Sequence, residues 1–185
     1  MASKTTESSF KEVIFLFFLT VFYTFFLNKH LHFIKLIYFA PFITLIFYKT
    51  SIYTSLWLSI ICGLIIDLFS SSYFGLNAIC YSATTIFLYN EKKYFSYKNI
   101  NIFIFTTIYS FIFSMFYPLS LFIFEKGIKI TLKWMISDLV IMPLTDGAYA
   151  FLLFSLPLIL LQKTKTIKLQ NLWKRFKRKS FRRSQ

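Results

Sequence analysis

Acidic residues are scarce in this 185-residue chain: seven Asp and Glu stand against 21 Lys and Arg, for a formal charge of +14. Cysteine is limited to Cys62 and Cys80, and histidine to His30 and His32. Both cysteines lie inside apolar runs with no CxxC or Cys/His spacing, which excludes a disulfide framework and reads as two buried small hydrophobes. The histidines, two positions apart, face different sides of a helix and do not share a metal. No GxSxG, HExxH, P-loop, GxGxxG or paired-acid constellation occurs, and no Ser/Lys cluster stands at catalytic spacing. The expectation is therefore a protein that is not an enzyme and holds no cofactor. A nucleic-acid partner is not expected either, because Lys and Arg cluster at one end and in loops instead of spreading over a basic surface.

What the chain has in quantity is apolar surface. It is 57% hydrophobic and 22% aromatic, and only 15% charged; a soluble domain of this length has nowhere to bury so much. The Phe, Ile, Lys and Asn richness is also what AT-biased coding gives, so the aromatics alone point to no binding site. The composition predicts an all-α membrane protein. A crossing helix needs about 20 mostly apolar residues, and six runs fit: 13–27, 31–48 (with Pro41 inside it), 52–69, 73–89, 102–124 and 138–161. The first has no small-x-small cleavage pattern and reads as an uncleaved helix. The start of the sixth is open, because Asp138, Pro143 and Asp146 fit a long helix, a kinked one, or an interfacial piece followed by a span from Pro143.

Lys and Arg set the orientation. An even number of spans puts Lys4, Lys11, Lys49, Lys92, Lys93, Lys98 and the tail on one side, and leaves Lys29, Lys126, Lys129 and Lys133 on the other. The prediction is a six-helix transmembrane domain over 1–161 with both termini cytoplasmic, followed by a basic cytoplasmic tail over 162–185. Leu169, Leu172, Trp173 and Phe176 share a helical face in that tail. Lys174, Arg175, Lys177, Arg178, Lys179, Arg182 and Arg183 would then face anionic lipid, each basic group contributing about 1 kcal/mol near the surface, with a specific protein-docking helix or an RNA contact as the other reading of the tail.

Polar residues inside apolar runs are the remaining candidates, since an ionisable group at the bilayer centre costs about 2.5–3.5 kcal/mol on insertion scales. Lys35, near the end of its run, reads as snorkelling to the interface with the histidines and carrying no chemistry. Asp138 and Asp146 lie about 80° apart around a helix of about 3.6 residues per turn. Either both point into the bundle, or Asp138 is interfacial and Asp146 sits in a first helical turn. Ser55, Ser59, Gly63 and Asp67 recur at every fourth residue, and Gly75, Ala78, Ser82 and Thr85 form a similar stripe at every third or fourth residue in the next run. Small residues let backbones approach in lipid, so a tight hairpin is expected around the Ser70–Ser72 turn. Asp67 and Ser70 are placed to satisfy backbone N–H groups at the start of the fourth helix, with partner recognition as a second reading of Asp67.

The segment Gly63-x-x-x-Asp67-x-x-Ser70-x-x-x-x-Gly75-Leu76-Asn77-Ala78 resembles the signature of the rod-shape-determining MreD family, small polytopic proteins of the bacterial inner membrane. Ser71 stands where that family usually has glycine, and Tyr73 where it often has proline. Length, six spans, inside termini and a basic end match over nearly the whole chain. The resemblance implies a non-catalytic membrane scaffold serving peptidoglycan synthesis in elongation or polarised division. Its partners would be a bitopic MreC-like protein and, through it, MreB filaments, a RodA-type glycosyltransferase and a class B penicillin-binding protein. The implied packing or partner surface comprises Ser55, Ser59, Gly63, Asp67, Ser70, Gly75, Asn77 and Ala78. The chain is similar in plan to a second class as well, the substrate-binding S components of energy-coupling-factor vitamin transporters. Such a subunit needs an outward polar pocket, for which Asp67, Asn77, Asp138 and Asp146 are candidates, but the chain lacks a clear Ala-x-x-x-Ala docking pattern.

Overall fold

The structure, a computed structural model, describes residues 2–30, 35–70, 73–95, 99–124 and 131–155. All regular structure among these residues is helical. In chain order come α1 (Ala2–His30), α2 (Ala40–Ile46), α3 (Ile52–Phe69) and α4 (Leu76–Leu88), the last running into a 3-10 helix at Tyr89–Tyr94. α5 (Asn99–Phe124) follows, and then α6, one helical run built from an α-helix at Leu132–Ile136, a π-helix at Ser137–Ile141, an α-helix at Met142–Ala150 and a π-helix at Phe151–Ser155. Among the described residues two helices are long and apolar enough to cross a membrane: Ile52–Phe69, of mean hydropathy 1.9, and Asn101–Ile123, of mean hydropathy 1.7.

The first, third, fourth and fifth runs form helices where the apolar pattern put them; the other two differ. The second run is not one long helix. Residues 35–37 are non-helical, residues 38–39 form a turn, and α2 has only seven residues, about 10 Å at a rise of about 1.5 Å per residue. Pro41, read from the sequence as lying inside a span, instead occupies the first turn of α2. That position suits it, because the N–H that proline lacks has no intrahelical partner there. Every residue of α2 is buried, and Phe39, Phe42, Ile43, Leu45, Ile46 and Phe47 have no exposed surface at all. This short helix is the centre of the bundle, packed on α1, α3, α5 and α6. Phe47 meets Phe105 and Tyr109 edge-on, and the Thr44 and Thr106 hydroxyls join α2 to α5 at 3.0 Å.

The sixth helix begins at Leu132, not at Asp138 or Pro143. Thr131 caps it, its hydroxyl accepting from the Trp134 N–H at 3.3 Å. Pro143 therefore falls inside a continuous helix, where it removes one backbone bond and crowds the preceding turn. The π segment at Ser137–Ile141 lies just before it and supplies the extra residue that relieves this crowding. The part of the sixth run beyond residue 155 and the basic tail, with Lys174, Arg175, Lys177, Arg178, Lys179, Arg182 and Arg183, lie outside the described residues.

The two ends of the bundle are held differently. At one end Lys49 pairs with Glu12 of α1, the Lys92 ammonium donates to the Phe47 carbonyl at 2.6 Å, and the Tyr89 hydroxyl donates to the Thr50 carbonyl at 2.8 Å. The α3–α4 turn, Lys35 and the start of α6 make up the other end.

Candidate functional site

α3 and α4 form the closely packed hairpin that the small-residue stripe predicts. Ser55, Ser59, Gly63 and Asp67 are all buried on α3. A Cβ built on Gly63 would stand 2.3 Å from the Ala78 Cα and 2.5 Å from its N, so only glycine permits this backbone approach. Further along the seam the Ser59 and Thr85 hydroxyls meet at 2.7 Å. The polar chain continues to the Tyr109 hydroxyl of α5, 3.5 Å from Thr85, which donates to the Tyr81 carbonyl at 3.2 Å.

Asp67 closes the hairpin. α3 ends at Ser70 in an extended conformation, and Gly75, with φ 93°, turns the chain into α4 through the left-handed region that glycine alone enters freely. This turn brings the first N–H groups of α4 onto one carboxylate. Asp67 Oδ2 accepts from the Gly75 N–H at 2.9 Å and from the Ala78 N–H at 3.4 Å. Oδ1 accepts from the Asn77 N–H at 3.1 Å and from the Asn77 side-chain amide at 2.8 Å. Buried to 4% exposure, the charge is compensated by these donors and by the positive end of the α4 dipole. The expected capping role of Asp67 is thus realised, and Ser70 lines a neighbouring cavity.

That cavity, of about 340 Å³, lies between the segment leading into α2 and the facing ends of α3, α4, α5 and α6. Ile66, Tyr81, Phe113, Tyr117, Trp134 and Met142 give it an apolar and largely aromatic wall, to which Ser70, Asn77 and Ser114 add polar groups. Lys35 and Asp138 also line it. The Lys35 ammonium lies 2.9 and 3.0 Å from the two Asp138 oxygens, with the lysine side chain 66% exposed and the aspartate 15%. Lys35 is therefore an ion-pair partner and not merely a snorkelling residue. Sequence reasoning missed it because its partner lies 103 positions away.

The two acids of α6 part company. Asp138 stands at the cavity with Lys35, and Ser137 donates to the same carboxylate. Asp146 is fully buried, and its Oδ1 accepts from the Ile37 backbone N–H at 2.9 Å. Of the four residues expected to line an outward pocket, Asn77 and Asp138 line this cavity, whereas Asp67 and Asp146 are taken up by backbone N–H groups. Cys62 and Cys80 are free and buried, as their apolar surroundings predict. Among the described residues no three His, Cys, Asp or Glu side chains converge as a metal site would require.

The chain matches no protein-family model, no curated protein and no solved structure.

Proposed function

We propose that the chain is a non-catalytic membrane scaffold of the bacterial cell-shape and peptidoglycan-synthesis machinery, similar to the MreD family, with six crossings and both termini in the cytoplasm. The two long apolar helices support a membrane location. So do the large apolar side chains left on the surface, such as Trp57 at 67% exposure and Ile123 at 79%, a coat suited to lipid and not to water. The Lys and Arg distribution supports the orientation. Anionic lipid would hold the basic tail.

One observation carries the scaffold reading. The residues of the family-like segment, Gly63 through Ala78, lock one rigid hairpin through the Gly63–Ala78 contact and the Asp67 carboxylate. Gly63, Asp67 and Ala78 are consumed inside the hairpin, so they fix its shape and leave a partner to its outer face. Trp57, Ile61 and Leu68 of α3 and Ile79 and Ile86 of α4 are exposed there. A transmembrane segment of an MreC-like protein would pack on this face, linking the chain to MreB filaments, a RodA-type glycosyltransferase and a class B penicillin-binding protein. Co-purification from native membranes tests the reading. Wild type should retain the MreC-like protein, and a triple Trp57→Ala, Ile61→Ala, Leu68→Ala variant should lose it at unchanged abundance. A wild-type protein that brings down neither that partner nor a wall synthase overturns the proposal.

The S-component reading is favoured by a different observation, the cavity with Asn77 and Asp138 in its wall. Stabilisation of the purified chain by a vitamin would carry that reading in place of the first.

A further inference from the structure

The cavity beside the hairpin has features that packing alone does not require. Its volume, about 340 Å³, falls at the lower end of the roughly 300–1,000 Å³ typical of ligand sites. The Ser114 hydroxyl in its wall is only 3% exposed and has no hydrogen-bond partner among the described residues. A buried hydroxyl in that condition is uncommon in a finished interior. Lys35 and Asp138 set a positive and a negative group side by side, the only charged residues of a largely apolar wall among the described residues.

The sign pattern selects the ligand. A lone anion drawn to Lys35 meets Asp138, and a lone cation drawn to Asp138 meets Lys35. A molecule carrying both charges a few bonds apart engages both groups, exchanging one ion pair for two of the same kind. The ammonium of Lys35 has three donors, two of which the Asp138 oxygens occupy, so a ligand anion finds one still available. Tyr81, Phe113, Tyr117 and Trp134 offer ring faces and edges to an apolar body, and Ser114 offers a hydroxyl to an ester or carboxyl oxygen.

We propose that this cavity binds a dipolar molecule, an apolar body bearing an anionic group and an ammonium group, with Lys35 and Asp138 reading the head and Ser114 an oxygen below it. Two sources share this chemistry: the head and first chain carbons of a zwitterionic phospholipid, and a free aromatic amino acid. The site is independent of the scaffold reading, since its occupancy needs no protein partner.

Thermal unfolding of the purified full chain in detergent tests it, with short-chain phosphatidylethanolamine, short-chain phosphatidylglycerol and phenylalanine as probes. At least one dipolar probe should raise the midpoint saturably, while phosphatidylglycerol, which has the phosphate without the ammonium, should not. Phosphatidylethanolamine acting alone assigns the lipid source, and phenylalanine acting alone the solute. Lys35→Gln, at an exposed position, should fold normally and weaken the dipolar probe at least tenfold; Ser114→Ala should weaken it severalfold. The proposal is overturned if neither dipolar probe acts, if phosphatidylglycerol acts equally, or if Lys35→Gln binds as wild type does.

Discussion

Oδ1 of Asp146 accepts a 2.9 Å hydrogen bond from the backbone N–H of Ile37, joining α6 to a stretch 109 residues earlier in the chain. Ile37 is non-helical and 3% exposed, so its N–H has neither a helical partner nor water. Irregular backbone at membrane depth survives only where protein satisfies it. Asp146 does for the entry to α2 what Asp67 does for the entry to α4. Both buried carboxylates are receptors for the N–H groups of an interrupted helix.

This role predicts a split between two substitutions at Asp146. Asp146→Asn keeps a carbonyl oxygen for Ile37 and should hold most of the stability. Asp146→Leu leaves the N–H buried and unpaired, at a cost of about 1–3 kcal/mol. Unfolding midpoints in detergent or SDS titration should rank wild type and Asn together, well above Leu. Equal losses in the two variants would mean that the negative charge matters and not the acceptor.

Asp67 should be less forgiving, because both of its oxygens are occupied. In Asp67→Asn an amide group replaces one oxygen and confronts N–H donors of α4, so roughly half the interaction is lost. Asp67→Ala loses all four bonds. At about 0.6 kcal/mol for an average bond between membrane helices, the alanine variant should be destabilised by roughly 2 kcal/mol and the asparagine variant by about half that. An Asn77→Ala variant, which removes only the side-chain donor, should fall nearest to wild type in the same titration.

Gly63 tests the backbone approach. An added methyl meets Ala78 main chain at 2.3 Å, not a side chain that can swing aside. Gly63→Ala must therefore separate α3 from α4 and stretch the Ser59–Thr85 hydroxyl contact, at about 1–3 kcal/mol as for other overpacked sites. Gly63→Leu should lower abundance sharply. Loss of partner binding in that variant would report a broken hairpin, which is why the partner test uses Trp57, Ile61 and Leu68. A Gly63→Ala variant with a wild-type midpoint would show that the helices have room to part.

How far these features were legible in the sequence follows from their separation along it. The α3–α4 stripe repeats every three or four residues, and Asp67 lies only eight to eleven positions from the N–H groups it accepts. A local pattern therefore exposed both. The Lys35–Asp138 and Ile37–Asp146 contacts span more than a hundred residues, and no periodicity connects their partners. Hydropathy also hid the break in residues 35–48, because a buried central helix and a lipid-facing span are equally apolar. Pro41 was the local sign of a helix start, but in an unbroken apolar run it reads equally well as an interior kink.

The short α2 bears on whether the second run crosses the membrane at all. Seven helical residues cover about 10 Å, and the three non-helical residues 35–37 add at most about 10 Å at roughly 3.3 Å each. Before the turns at residues 38–39 and 47–49 are counted, this covers about two-thirds of the roughly 30 Å of a hydrocarbon core. Its ends are also held at opposite ends of the bundle, Lys35 by Asp138 beside the α3–α4 turn and Lys49 by Glu12 beside Lys92 and Phe47. If the chain crosses here, Lys35→Cys should react with a membrane-impermeant thiol reagent applied from outside the cell, and Thr50→Cys only after the membrane is opened. The native Cys62 and Cys80 are buried and should contribute little labelling. Reaction of both engineered cysteines from the same side would make residues 35–50 a re-entrant loop and reduce the crossings to five, with the termini on opposite faces.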